Sequence, residues 1–196
     1  MKKYQIIYAD PPWSYNDKMS GHSFSLDHEY ETQSLEWIKK LPISDFCEKN
    51  AVLFLWAVSP LLPQAFEVIE AWGFKWKTLA FVWVKETSGL YAVTVSNLGR
   101  WTMGGAELCL LATRGKPKRV TRNVRQVLYE TRSSHSKKPE EVRRRIVKLM
   151  GDIPRIELFA RQKTEGWDVW GNEVVSDIEL NPIQHEREIH GQTNSR

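Results

Sequence analysis

The chain has 196 residues, of which 41% are hydrophobic and 27% are charged, and its net charge is +4. This length suits one domain, and the composition is that of a globular rather than a disordered protein. No apolar run reaches the ~18 residues that a membrane-spanning helix needs, and the N-terminal apolar stretch is too short for a signal peptide. Cys47 and Cys109 form no CxxC or Cys/His cluster, so we expect no disulfide framework, no metal site and a reducing, cytoplasmic setting.

The first half of the chain alternates predicted strands and helices. Residues 4–9 predict a buried strand, which Pro11 and Pro12 terminate because proline has no backbone N–H. A polar loop follows over residues 14–33, and loops of this length are usually functional or disordered. The next predicted elements are a helix over 34–40 capped by Ser34, a doubly buried strand over 51–58, a helix over 63–72 and a strand over 76–84.

The second half continues the alternation after an irregular stretch over residues 85–105. Its predicted elements are strands over 106–113 and 126–130, a helix over 139–150, a strand over 155–159 and a short element within 167–175. From Ser176 the chain is polar and without pattern. We therefore predict one domain over residues 1–175 and a flexible tail over residues 176–196.

Buried strands that alternate with helices predict an α/β fold, a mixed and mostly parallel sheet with helices on both faces. Ligands of such sheets bind at the carboxyl ends of the strands. Asp10 and Phe159 each end a predicted strand, so we expect both to face one crevice.

The tetrapeptide Asp10-Pro11-Pro12-Trp13 carries the clearest chemistry. Asp10 supplies an acceptor, the prolines leave the Pro11 carbonyl open to an external donor, and Trp13 supplies a flat apolar face. Two acceptors beside an aromatic plate suit a planar ring with an exocyclic amino group. The alternative is a strand followed by a Pro-Pro turn with a packed tryptophan.

DPPW after a strand resembles the catalytic motif of the S-adenosylmethionine-dependent adenine-N6 methyltransferases. That family contains the messenger-RNA adenosine methyltransferase catalytic subunit and many bacterial and phage DNA adenine methyltransferases. The likeness covers roughly residues 4–175. It continues through residues 52–56 (VLFLW), 71–74 (AWGF), 81–85 (FVWVK), 99–101 (GRW), 107–110 (ELCL), 135–140 (HSKKPE), 156–161 (IELFAR) and 166–173 (GW followed by WGNE). The catalytic motif comes first, as in the circularly permuted branch, and the resemblance implies a Rossmann-like domain in which ELFAR replaces a glycine-rich cofactor loop.

The resemblance also implies residue roles. Asp10 and the Pro11 carbonyl would accept the two N–H groups of the adenine N6 and stabilise its developing positive charge. Trp13 would hold the flipped base, with Tyr15 as a weaker candidate for the same pocket. His22, His28 and Tyr30 of the polar loop are assigned no catalytic role.

The cofactor implied by the resemblance is S-adenosylmethionine. Lys138 would pair with its methionine carboxylate at the start of a helix, although charge alone favours a solvent-exposed lysine. Asp10 is shared with this site, where it would touch the cofactor's amino group. The implied cofactor-binding residues are Asp10, Lys138, Phe159, Arg161, Asn172 and Glu173.

Charge is unevenly distributed, because residues 114–148 hold 13 Lys and Arg but 3 Asp and Glu. A basic segment on an acidic body indicates an anionic partner, nucleic acid first. Since the segment follows a strand end, we expect its first residues to line the rim of the crevice and bind phosphates. The alternatives are a solvated loop or an acidic partner subunit. The candidate nucleic-acid-binding residues are Arg114, Lys116, Lys118, Arg119, Arg122 and Arg125, with Tyr15.

Target recognition has only residues 14–33, 85–105 and 114–135 at its disposal, which are too few for an independent domain. Specificity is then either short and relaxed or supplied by a second copy or a partner subunit. Similarity to single-chain bacterial and prophage members, and the absence of a zinc-finger pattern, favour DNA over RNA. An inactive nucleic-acid-binding subunit usually loses DPPW, and methyltransferases for cytosine N4 or protein glutamine usually have Asn or Ser in place of Asp10.

Overall fold

The computed structural model describes residues 2–14, 32–87, 94–95, 101–131 and 137–180. Tyr15, His22, His28 and Tyr30 lie outside these described residues. The strands are β1 (Tyr4–Ala9), β2 (Cys47–Ala57), β3 (Lys75–Glu86), β4 (Ala106–Arg114), β5 (Val127–Thr131), β6 (Arg155–Leu158) and β7 (Asp168–Trp170). The helices are α1 (Leu35–Lys39), α2 (Leu62–Ala71) and α3 (Glu140–Met150), with short 3-10 helices at Ile43–Phe46 and Ser59–Leu61.

The seven strands form one sheet in the order β5-β3-β4-β2-β1-β6-β7. Neighbouring strands are parallel except for β4, which runs antiparallel to both β2 and β3. The predicted mixed, mostly parallel sheet is confirmed. Strands β1, β2, β3 and β6 all end on the same side of the sheet, which we call the carboxyl edge. The opposite side is the amino edge. Strand β4, which is antiparallel to its neighbours, ends at the amino edge.

Helices cover both faces of the sheet, as the sequence predicts. Helices α1 and α2 bury Ile38, Val68 and Ile69 in the apolar cluster on one face. Helix α3 buries Val142 and Ile146, four residues apart and therefore on one side of the helix, in the cluster on the other face. Gly151 ends α3 with a φ of 92°, a conformation that glycine adopts without steric cost.

The chain packs beyond the predicted domain boundary at residue 175. The Ser176 hydroxyl accepts a hydrogen bond from the Gly171 N–H at 3.1 Å, and the Asp177 carboxylate accepts one from the Val169 N–H at 2.9 Å. Leu180 is buried against the apolar cluster on the α1 and α2 face. The packed domain thus extends at least to Leu180, and residues 181–196 lie outside the described part of the chain.

Two further features concern the whole fold. Both cysteines are buried free thiols. Among the described residues, no helix is long and apolar enough to cross a lipid bilayer.

Candidate active site

The sheet topology brings the ends of β1 and β6 together. Ala9 is aligned with Leu158 in the parallel ladder, so the residues that follow them, Asp10 and Phe159, emerge side by side at the carboxyl edge. Strand β1 leads through α1 to β2 on one side and lies against β6 on the other. This change of direction is a topological switch point, the place where open α/β sheets bind ligands. The expected proximity of Asp10 and Phe159 at one edge of the sheet is confirmed.

The proline turn fixes Trp13 over the end of β2. The Pro11 carbonyl accepts the Trp13 backbone N–H at 2.8 Å, and the indole N–H of Trp13 donates to the Trp56 carbonyl at 3.0 Å. The Pro12 carbonyl accepts from the Gln33 N–H at 3.0 Å. The Pro11 carbonyl is therefore less open than the sequence suggested, although an oxygen with two lone pairs can accept a second donor.

Asp10 belongs to a cluster of four charged side chains. The Lys138 ammonium lies 2.7 Å from Asp10 Oδ2 and 3.1 Å from Glu107 Oε2, and Glu107 also pairs with Lys85. The Lys138 side chain is 9% exposed, which rules out the solvent-exposed lysine. Two cations and two anions balance one another in this cluster, so it is stable at the end of a sheet only because every charge is paired.

Burial and neighbouring charges set the protonation of this cluster. Burial raises the pKa of Asp10 above its ordinary value and the Glu107 carboxylate adds to the rise, while the Lys138 ammonium opposes it. Burial alone would raise the pKa of Glu107, but Lys138 and Lys85 lower it. Burial alone would lower the pKa of Lys138, but Asp10 and Glu107 raise it. Lys138 and Glu107 thus stay charged, and Asp10 is the group closest to taking up a proton.

Aromatic residues connect this cluster to the interior of the sheet. Lys138 lies 5.5 Å from the centre of the Trp56 ring, and the Trp56 indole N–H donates to the Tyr8 hydroxyl at 2.7 Å. Tyr8 in turn lies beside Arg143, whose guanidinium makes two hydrogen bonds, of 2.7 and 2.5 Å, to the carboxylate of Glu157. A buried chain of polar contacts therefore links the carboxyl edge to the interior of the sheet.

Phe159 after β6, Trp170 at the end of β7 and Trp37 in α1 form an aromatic wall near Asp10. Phe159 has a φ of 60°, a left-handed conformation that is costly for a residue with a side chain and occurs mainly where the surroundings impose it. Its ring meets Trp170 edge-on at 5.3 Å, and Trp170 stacks on Trp37 of α1 at 6.2 Å. A side chain at Gly171 would lie 2.2 Å from the Ala160 carbonyl, so only glycine lets the two strand ends approach.

These residues fit the cofactor that the resemblance implies. Aromatic faces suit an adenine ring, and Arg161, Asn172 and Glu173 offer donors and acceptors for a ribose or a carboxylate. Arg161 Nε lies 3.6 Å from Glu173 Oε1, and Asn172 is exposed. The roles assigned to Phe159, Arg161, Asn172 and Glu173 stay predictions, as does the pairing of Lys138 with a cofactor carboxylate.

Sequence reasoning missed several residues of this edge. Glu107 and Lys85 were recognised only as parts of motifs, and nothing in the sequence pairs them with Lys138. Trp170 is recognised only as part of the WGNE motif, and Trp37 carries no signal because a single tryptophan next to apolar residues usually belongs to the core.

The basic segment lies elsewhere, and its expected place at the rim of the crevice is wrong. Because β4 is antiparallel to β2, Arg114 pairs with Ala51 at the amino edge. The Val120 N–H then donates to the Leu149 carbonyl at the C-terminal end of α3, at 2.9 Å. Arg114, Lys116, Lys118, Arg119, Arg122 and Arg125 therefore approach β5 from the edge opposite Asp10.

Comparison with known proteins extends over nearly the whole domain. Residues 4–173 match the family described as MT-A70. The Type II methyltransferase M.MunI of a Mycoplasma species is 37% identical over 204 residues, which cover 94% of this chain and 84% of that protein. The N(6)-adenosine-methyltransferase subunit METTL3 of Danio rerio is 27% identical over 176 residues, 88% of this chain but 28% of that protein. A relative from Arabidopsis thaliana named N(6)-adenosine-methyltransferase MT-A70-like is 26% identical over 86% of this chain and 23% of its own length.

Proposed function

The chain belongs to the MT-A70 family, and from that premise we propose that it transfers a methyl group from S-adenosylmethionine to the N6 amino group of adenine in DNA. The base is flipped out of the duplex into the pocket formed by Asp10, Pro11, Pro12 and Trp13. The observation that carries this proposal is the position of Asp10: a carboxylate at the switch point of the sheet, paired with Lys138 and next to an anchored tryptophan.

Asp10 and Pro11 act on the base. The adenine amino nitrogen is a poor nucleophile because its lone pair is delocalised into the ring. Lys138 engages Asp10 Oδ2, so we assign Oδ1 and the second lone pair of the Pro11 carbonyl to the two amino hydrogens. Acceptance of both hydrogens favours a tetrahedral nitrogen and stabilises the positive charge that develops on it.

The raised pKa of Asp10 is useful at the end of this step. The nitrogen loses one proton once it carries the methyl group, and a carboxylate with a raised pKa is a better acceptor for it than an ordinary one. Water is the alternative acceptor. Until then the positive charge of Lys138 keeps Asp10 ionised. Ionisation is needed because a neutral Asp10 could not stabilise the positive charge on the nitrogen.

The aromatic wall and the neighbouring polar side chains hold the cofactor in this proposal. When bound, S-adenosylmethionine supplies the electrophilic methyl carbon. Phe159 packs against it, Arg161, Asn172 and Glu173 bind its polar groups, and Lys138 attracts its carboxylate. Lys138 would then serve both the cofactor and Asp10.

DNA is the preferred substrate because of how the relatives align. This chain spans 84% of the M.MunI methyltransferase, but about a quarter of the length of the N6-adenosine methyltransferases. An RNA substrate and an inactive partner subunit are the other candidates. The intact Asp10–Lys138 pair favours an active enzyme over an inactive partner subunit.

Target recognition belongs in our proposal to residues 14–33 and 85–105. The second stretch leads into β4 at the carboxyl edge, where Trp101 is 98% exposed and Met103 is 63% exposed. An exposed tryptophan and methionine so close to a substrate pocket suit contact with the flanking bases or with a second subunit, either another copy or a partner. Sedimentation of the chain alone and with DNA would give its stoichiometry.

The test is a nucleoside analysis by mass spectrometry. The chain is incubated with S-adenosylmethionine and with unmethylated DNA or RNA, and the digested nucleosides are compared with those from an Asp10→Ala control. N6-methyladenine in DNA supports the proposal. Methylated adenosine in RNA alone, or N4-methylcytosine, contradicts it.

A further inference from the structure

The loop between β4 and β5 presents a strongly basic surface. This basic loop, taken together with Arg114 at the end of β4 as residues 114–126, contains six Lys and Arg and no Asp or Glu. Five of the six are exposed: Lys116, Lys118, Arg119, Arg122 and Arg125. Within the described residues, none of these five lies within ion-pair distance of a carboxylate, so their charge is directed to solvent.

The basic loop is held in a fixed shape by its contacts with the body of the protein. The Lys116 N–H donates to Asn50 Oδ1 at 2.8 Å, and the Arg145 guanidinium donates to the Arg125 carbonyl at 2.9 Å. Gly115 has a φ of 62°, and a Cβ there would lie 2.4 Å from the Lys49 carbonyl, so the turn out of β4 requires glycine. Between these anchors, a shallow concavity is lined by residues 117–122.

This rigidity matters for binding. A loop whose backbone is already ordered loses less conformational entropy when it meets a ligand. Exposed arginines without carboxylate partners are the groups that bind phosphate oxygens in nucleic acids.

The basic loop is also remote from Asp10. Strand β4, from Ala106 to Arg114, separates the carboxyl edge from the amino edge. At ~3.3 Å per residue its length is about 26 Å. A duplex of about one helical turn is ~34 Å long and extends ~17 Å to either side of a central target base, so it ends short of the basic loop.

We propose that the basic loop is a second DNA-binding surface, which binds the phosphates of a DNA segment other than the one whose base enters the pocket. It retains the enzyme on long DNA and contributes nothing to a duplex that fills only the pocket. The proposal rests on the proposed function for its choice of DNA as the polyanion. Phosphate contacts of this kind position a protein without reading sequence.

The experiment compares a double charge reversal with two controls. The variant is Arg119→Glu with Arg122→Glu. The first control is Arg119→Lys with Arg122→Lys, which keeps both charges. The second control is Lys40→Glu with Arg144→Glu, which changes the net charge by the same amount at the end of α1 and on α3, outside the basic loop. Circular dichroism and thermal unfolding confirm that each variant is folded.

DNA of two lengths distinguishes binding at the pocket from binding at the basic loop. A duplex of about one helical turn fills the pocket alone, whereas DNA of several hundred base pairs reaches both surfaces. For long DNA, we expect the log–log dependence of affinity on salt to flatten by about two for the double reversal, because each lost phosphate contact removes ~0.9 from the slope. Both controls should keep the wild-type slope. The kcat/KM for the short duplex should stay within about twofold of wild type in all variants.

Three results would overturn the inference. Equal salt slopes for wild type and the double reversal would mean that the loop does not bind DNA. An equal loss on short and long DNA would make the loop part of the substrate site. Unchanged DNA binding together with a loss of association with an acidic partner subunit would assign the loop to protein binding. The salt slopes need no methyl transfer, so a chain that methylates no DNA would contradict the proposed function and still leave this comparison decisive.

Discussion

Asp10 Oδ2 and Lys138 Nζ lie 2.7 Å apart, although 128 residues separate them in the sequence. This contact joins the motif after β1 to Lys138, two residues before α3, and Glu107 on β4 completes the group. The base-binding carboxylate and the cofactor lysine thus form one electrostatic unit. Substitutions in residues that share such contacts are generally not additive, so double variants of these residues need the single variants beside them.

Replacement of Asp10 separates chemistry from cofactor binding. We expect Asp10→Ala to abolish methyl transfer and to leave the Kd of S-adenosylmethionine within a few-fold, because the carboxylate faces the base amine and Glu107 still pairs with Lys138. Asp10→Asn is the matched control, since it keeps the shape and loses the charge. Calorimetry measures the Kd and single-turnover assays measure transfer. Full loss of cofactor affinity in Asp10→Ala would make Asp10 chiefly a cofactor ligand.

Replacement of Lys138 has the opposite emphasis. Lys138→Ala removes a buried cation, so the KM for S-adenosylmethionine should rise by an amount equivalent to ~1.5–3 kcal/mol, the contribution of a charge-assisted hydrogen bond. Lys138→Arg keeps the charge and serves as the control. If the KM stays unchanged while kcat falls, Lys138 acts through Asp10 and does not bind the cofactor.

Local pattern was enough to predict most elements of this fold. The continuous apolar run before Ala57 and the i, i+4 spacing of Val142 and Ile146 identify β2 and α3 without any long-range information. The direction of β4 could not be predicted, because an apolar run reads the same for a parallel and an antiparallel strand. That one ambiguity placed the basic segment at the wrong edge.

For the site, the sequence predicts which residues end neighbouring strands but not which side chains meet there. Asp10 and Phe159 were placed together because parallel strands end at one edge. The contact of Lys138 with Asp10 and Glu107 depends on tertiary packing among three distant segments, which no local spacing encodes. Leu180 shows the same limit at the C-terminus, since a single leucine in a polar stretch gives no sign of its burial.

The buried pair beneath the site should dominate stability. Arg143 and Glu157 have side chains that are 7% and 9% exposed, and loss of either one leaves the other without its buried partner; the more exposed Glu140 also lies 3.0 Å from Arg143. We expect Arg143→Met and Glu157→Leu each to lower the free energy of unfolding by ~3–5 kcal/mol, and the double variant to lose much less than their sum. Urea denaturation of the four proteins measures the coupling. Additive losses would show that the two charges do not depend on each other.

The pH dependence of transfer should move in opposite directions for two substitutions next to Asp10. Transfer needs ionised Asp10, so kcat should fall as the pH drops through the pKa of this carboxyl, which burial has raised above its ordinary value. Lys138→Met removes the cation that opposes the rise, so the pKa of Asp10 should increase further and the acid limb should move to higher pH. Glu107→Gln removes the anion that adds to the rise, so the acid limb should move to lower pH. Both profiles are measured at saturating cofactor, so that weaker binding does not distort them. If these residues have only a structural role, kcat falls at every pH and the acid limb does not shift. If the acid limbs of the two variants shift in the same direction, Asp10 is not the titrating group.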